Sequence, residues 1–124
     1  MADKRPKNLN LFTIRFPITA IASILHRLSG FILFLFIPLL LWGLSESLGS
    51  PDHFNEFHAF LTQPLSKFFA WVMLSVFAYH FVAGIKHLLM DMHIGDTLKG
   101  GRLAAYLALA ISGLLIVSLG VWLW

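Results

Sequence analysis

The sequence points to an all-α integral membrane protein with three transmembrane helices. Of its 124 residues 58% are hydrophobic, and nine Lys/Arg with six Asp/Glu are too few charges to coat a soluble domain of this size. The stretches Leu28–Ser45, Phe68–Ile85 and Leu103–Trp124 carry no charge over 18, 18 and 22 residues. An 18-residue helix covers roughly 27 Å, close to the ~30 Å of membrane hydrocarbon. Charge placement is the third observation. With the N-terminus cytoplasmic, that side holds Lys4, Arg5, Lys7, Arg15, Arg27, Lys86, Lys99 and Arg102, against Lys67 alone on the other. An excess of basic residues orients a membrane protein with that side inward. Trp42, Trp71, Trp122 and Trp124 fall near the opposite ends of the spans, where indole rings anchor at the interface. Three buried helices of a small soluble bundle are the alternative, but no segment supplies the polar outer face it needs.

Residues 1–124 read as a single transmembrane anchor domain. Residues 1–19 form a polar to amphipathic cytoplasmic arm, with no small-residue cleavage site that would mark a removable leader. Pro17 fixes the backbone, and Thr19 is placed to cap a helix starting near Ala20. Helix I covers 20–48, and Pro38 is expected to kink it without breaking it. Gly49–Gln63, containing Pro51, Asp52, His53, Glu56 and His58, is expected as an external loop. Helix II covers 64–90, an inner loop with Gly95, Gly100 and Gly101 follows, and helix III covers 103–123. Gly30, Ala78, Gly84, Ala104, Ala108, Ser112 and Gly113 are small enough to permit close helix contact.

Several function classes find no support. The chain has no Walker loop, dinucleotide fingerprint, internal repeat or paired intramembrane acid and base, so neither a nucleotide enzyme nor an ion-coupled transporter is indicated. Without cysteine there is no disulfide and no thiolate metal site. The basic residues are not clustered on a soluble face, which argues against nucleic acid as a partner and for membrane lipid.

What remains is a set of polar side chains where hydrocarbon is expected. His80 lies inside the second uncharged run, and an imidazole at that depth needs a partner. Axial ligation of a haem iron, a structural hydrogen bond to another helix, and proton handling all satisfy that need. His87 follows seven residues later on nearly the same face, roughly 10 Å along the axis. That is too far for both to bind one ion, but it suits a deep iron with haem propionates reaching toward the surface; a plain surface histidine is the alternative. On helix I, His26 and Arg27 lie at the inner interface with Ser23 one turn earlier. Arg27 calls for an anion: a propionate, a lipid phosphate or an acidic residue. Ser23, four residues before it, can share its face and complete a recess able to hold a quinone head group, or can bond back to its own helix. Only His80 has the depth of an axial ligand, so a second ligand is expected from another membrane subunit.

Two segments carry a resemblance. Ser23-Ile24-Leu25-His26-Arg27-Leu28-Ser29-Gly30 resembles the SxxHRxSG signature of the cytochrome b556 membrane-anchor family of succinate dehydrogenase, respiratory complex II. His80-Phe81-Val82-Ala83-Gly84-Ile85-Lys86-His87-Leu88-Leu89-Met90-Asp91 resembles that family's HxxxGxRHLxxD segment, with Lys86 in place of the usual arginine, which keeps the charge but loses the planar fork. Arg15–Ala22 is similar to the bacterial branch. The resemblance implies a subunit that forms half of a heterodimeric membrane anchor in the bacterial inner membrane. A second small haem-binding anchor would be its partner, and a flavoprotein and an iron–sulfur protein would dock on the cytoplasmic face. It further implies haem b, with His80 as iron ligand and His26, Arg27 and His87 near the propionates. Ser23 and Arg27 would belong to the ubiquinone pocket. Succinate would be oxidised in the flavoprotein, not by this chain. A fumarate reductase anchor running electrons the other way, and a purely structural anchor without cofactor, are the alternatives.

Overall fold

The computed structural model describes residues 15–124, and those residues form four helices: α1 Ile18–Gly49, α2 Pro51–Leu61, α3 Pro64–Asp91 and α4 Leu98–Leu123. Most of the expected N-terminal arm, including Lys4, Arg5 and Lys7, lies outside the described residues. Helices α1, α3 and α4 are each long and apolar enough to cross a membrane. With 32, 28 and 26 residues, they reach about 48, 42 and 39 Å, so each overshoots the hydrocarbon layer.

Burial follows a membrane pattern. The buried apolar residues are Ala22, Ala78, Ala83, Ala105 and Ala108, whereas Leu48, Leu65, Phe34, Val121 and Trp122 are all more than 60% exposed. A soluble bundle places its large side chains inside. Among the described residues every buried apolar side chain is an alanine, the packing used where lipid removes any hydrophobic gain from burying leucine. Ala78, Ala108 and Ser112 sit in these seams as expected, but Gly113 is exposed and a Cβ there would touch nothing within 4 Å. The hydroxyls of Ser75 and Ser112 bond back to their own helices, Ser75 to the Trp71 carbonyl at 2.7 Å and Ser112 to that of Ala108 at 2.6 Å.

Three details differ from the sequence expectation. First, α1 begins at Ile18 and is capped by the Pro17 backbone, whose carbonyl accepts from Ala20 and Ile21, so Thr19 is not the cap. The helix then runs through Pro38 unbroken. Second, most of the segment expected as an external loop is α2. Ser50 accepts from the His53 N–H at 3.1 Å, Pro51 occupies the first turn, and Asp52 faces the positive helix end. Phe54, Phe57 and Leu61 recur at helical spacing, a signal obscured by the polar residues between them. Third, α4 starts five residues early, at Leu98. Thr97 Oγ1 accepts from the Gly100 N–H at 3.0 Å, and a Cβ on Gly100 would lie 2.7 Å from the Gly95 carbonyl oxygen, so only glycine fits this turn. The glycines expected in the inner loop are what let the cap close.

The helices alternate in direction. The start of α1, the end of α3 and the start of α4 meet at one end, where Gly101 lies against Met90 and Thr19. The opposite end gathers Trp42 and Phe57, and Trp71 with Trp124.

Candidate functional site: a stack of three histidines

The end where α1 begins contains the polar cluster, and glycine creates the room for it. His80 of α3 lies against Gly30 of α1, where an added Cβ would come within 3.0 Å of its Cε1. Reciprocally, His26 of α1 lies over Gly84 of α3, with Nε2 3.6 Å from where a Cβ would be. The His80 ring thus crowds the place of a side chain missing at Gly30, whereas His26 stands at ordinary contact distance from a Cβ at Gly84. The nearby Tyr79 hydroxyl donates to the Ala22 carbonyl at 2.7 Å, a second polar tie between the same helices.

His26 and His80 stack with ring centroids 4.3 Å apart and planes 7° from parallel. On the other side His87 lies 4.7 Å from His26, tilted by 31°. His26, expected beside a propionate at the helix I interface, therefore fills the axial gap between the two histidines of α3. Stacked imidazoles do not aim their in-plane lone pairs at a common atom, so His26 is not placed to share a metal with His80. Among the described residues no group of three or more His, Cys, Asp or Glu is arranged to hold a metal ion.

Hydrogen bonds hold one nitrogen of each α3 histidine. His80 Nδ1 is 3.0 Å from Ser29 Oγ and 3.2 Å from the His26 carbonyl oxygen. His87 Nδ1 donates to the Ala83 carbonyl at 3.0 Å, one turn back along α3. Their Nε2 atoms have no partner among the described residues. No buried side-chain nitrogen or oxygen there is left unpaired, and both histidines are half-buried. Neither Nε2 is therefore a buried atom left without a partner among the described residues.

Ser23 and Arg27 share a face of α1 by spacing, Ser23 half-buried and Arg27 exposed. Among the described residues no hydrogen bond joins them to each other or to the histidines. Among those residues Ser23 also lacks the bond to its own helix that Ser29, Ser75 and Ser112 make. Lys86, expected among the inner-surface charges, is 8% exposed. It borders a cavity of about 420 Å³ between α3 and α4 with Val82, Leu89, Leu103 and Leu107. Sequence reasoning missed Ser29 as the partner of His80; its place three residues after His26, directly before Gly30, was the available signal.

Three apolar spans, with a stack of histidines between the first two, describe a multi-pass membrane protein. The chain belongs to the succinate dehydrogenase/fumarate reductase transmembrane subunit family, whose family model matches residues 1–123. It is 42% identical to the succinate dehydrogenase cytochrome b556 subunit of Coxiella burnetii over the full length of both chains. The subunits of the same name from Paracoccus denitrificans and Rickettsia felis are 30% and 29% identical, covering 94% and 96% of this chain and 93% of each relative.

Proposed function

We propose that this chain is a membrane-anchor subunit of a succinate:ubiquinone oxidoreductase, that it binds haem b together with a second anchor subunit, and that it helps to form the ubiquinone reduction site. The observation that carries this reading is the geometry of His80. Nδ1 is tied to α1 through Ser29 and the His26 carbonyl, and Nε2 has no hydrogen-bond partner among the described residues, which leaves it free to act as a ligand. The name cytochrome b556 borne by the relatives agrees with it, and succinate dehydrogenase in that name favours succinate oxidation over fumarate reduction.

The residues present fit a haem. His80 supplies a neutral nitrogen donor, and His26, Arg27 and His87 lie on the elements that would face its propionates. When bound, haem supplies a one-electron redox centre; what this chain does is hold and orient it. Since His26 is stacked on His80 rather than opposed to it, a further ligand to the haem iron would come from the partner anchor. That subunit packs beside the histidine stack, while the flavoprotein and iron–sulfur subunits dock at the same end, on the cytoplasmic side of a bacterial inner membrane. The clustering of Arg15, Arg27, Lys86, Lys99 and Arg102 at that end supports the orientation. The chain is one anchor domain and does not itself oxidise succinate.

Ser23 donates its hydroxyl to a quinone carbonyl. Arg27, always charged, stabilises the negative charge that develops on the head group during reduction. Protons come from water, partner side chains or His26, because a guanidinium does not release its own.

In the purified complex, His80→Ala is expected to lose haem absorbance or change its spin state while the complex still assembles. Unchanged haem content and spectrum would refute the ligand assignment. Ser23→Ala and Arg27→Leu are expected to lower quinone reduction at least tenfold more than succinate oxidation by an acceptor that bypasses the membrane site. Equal losses in both assays would mean an assembly role.

A further inference from the structure

Resting on the haem reading above, we infer that Ser29 is the positioning residue of His80: its hydroxyl fixes which ring nitrogen keeps the proton and thereby which one is offered to iron.

Ser29 is 6% exposed, on the α1 face that meets α3. Its O–H donates to the His26 carbonyl at 2.7 Å. His80 Nδ1 lies 3.2 Å from that same carbonyl oxygen and 3.0 Å from Ser29 Oγ. A carbonyl has no hydrogen to give, so its contact with Nδ1 is attractive only when Nδ1 carries the N–H. With the serine hydrogen already committed to the carbonyl, the Oγ lone pairs are free to accept from Nδ1–H as well. The neutral imidazole then has its lone pair on Nε2, the nitrogen that has no hydrogen-bond partner among the described residues. The other tautomer would set a nitrogen lone pair against an oxygen lone pair at a half-buried site.

Donation by Ser29 to the carbonyl polarises Oγ and makes it a better acceptor for the histidine. A hydrogen bond accepted from the far nitrogen of a ligating imidazole raises the electron density at the nitrogen on the metal. More electron density favours the oxidised iron and lowers its potential. Ser29 therefore acts on the ring's orientation and on its donor strength, without touching the haem. Gly30 completes the arrangement, since a Cβ there would press on His80 Cε1.

The test uses the purified intact complex with Ser29→Ala, Ser29→Thr and His80→Ala, reading haem content, the reduced-minus-oxidised spectrum and the midpoint potential by redox titration. Ser29→Ala is expected to raise the midpoint potential and shift the low-spin electron paramagnetic resonance signal, and Ser29→Thr, which keeps the hydroxyl, to stay near the parent. Haem loss in Ser29→Ala but not in Ser29→Thr supports the inference equally. An unchanged or lowered potential in Ser29→Ala overturns it, as does an equal disturbance by both variants, which would mark a packing role alone. A parent complex without haem absorbance, or unchanged haem in His80→Ala, would instead sink the haem reading itself and this inference with it.

Discussion

At the end where α1 begins, two helices meet through imidazole rings, hydroxyls and carbonyls; at the end where α1 finishes, contact is made by aromatic edges. Trp42 meets Phe57 and Phe60 at interplanar angles of 89° and 83°, and Trp71 meets Trp124 at 84°. Trp71 Nε1 also donates to the Ile116 carbonyl at 2.9 Å and lies against Gly120. Edge-to-face rings tolerate sliding, because their attraction is spread over a broad surface. The histidine end does not, since hydrogen bonds and close backbone approach fix both distance and angle. That difference separates a region whose geometry is fixed by directional bonds from one whose contacts can shift.

The contrast between the two ends fails if crowding the histidine end leaves its chemistry intact. Gly30→Val is expected to have the largest effect. Its Cβ alone would lie 3.0 Å from His80 Cε1, and the added methyls leave the ring no retreat. Haem absorbance per assembled complex should fall by more than half; a parent-like spectrum would show that His80 is not confined by α1. Trp71→Phe comes next. Losing the indole hydrogen bond to Ile116 should cost about 1–2 kcal/mol, seen as a lower temperature of inactivation, with haem spectrum and quinone reduction retained. An altered haem spectrum here would mean the two ends are coupled.

Tyr79→Phe probes differences within the histidine end. It removes the hydroxyl bond to the Ala22 carbonyl but no imidazole contact, and should cost about 0.5–1 kcal/mol of thermal stability without changing the haem spectrum. Gly84→Ala should do least. Its Cβ would stand 3.6 Å from His26 Nε2, an ordinary contact, so haem content and quinone reduction within twofold of the parent are expected. A strong defect would show that His26 has no freedom to adjust.

Much of the site is legible in the chain itself. The depth of His80 in an uncharged run and its seven-residue spacing to His87 put both on one face of α3. Membrane residence is equally plain, because a span is a matter of length and charge. Ser29 is not legible as a partner, since a serine in a membrane helix ordinarily bonds to its own backbone, and this one does that while also meeting His80. Trp71 has the sequence position of an interfacial anchor like Trp42, Trp122 and Trp124; its half-buried bond to α4 depends on the glycine that α4 presents. Lys86 has the position along the chain of a surface charge, yet its direction around the helix turns it inward.

The number of spans, the membrane class, the signature segments and the position of each histidine along its span all follow from residue order alone. These are properties of position along a chain, set by hydrophobicity and by the 1.5 Å rise of a helix. Residue order does not place His26 between His80 and His87, bring Ser29 to His80 Nδ1 or bury Lys86; the packed helices do. Those outcomes depend on how each helix is rotated about its axis against its neighbours, and small residues such as Gly30 and Gly84 fix that rotation only once two helices are in contact.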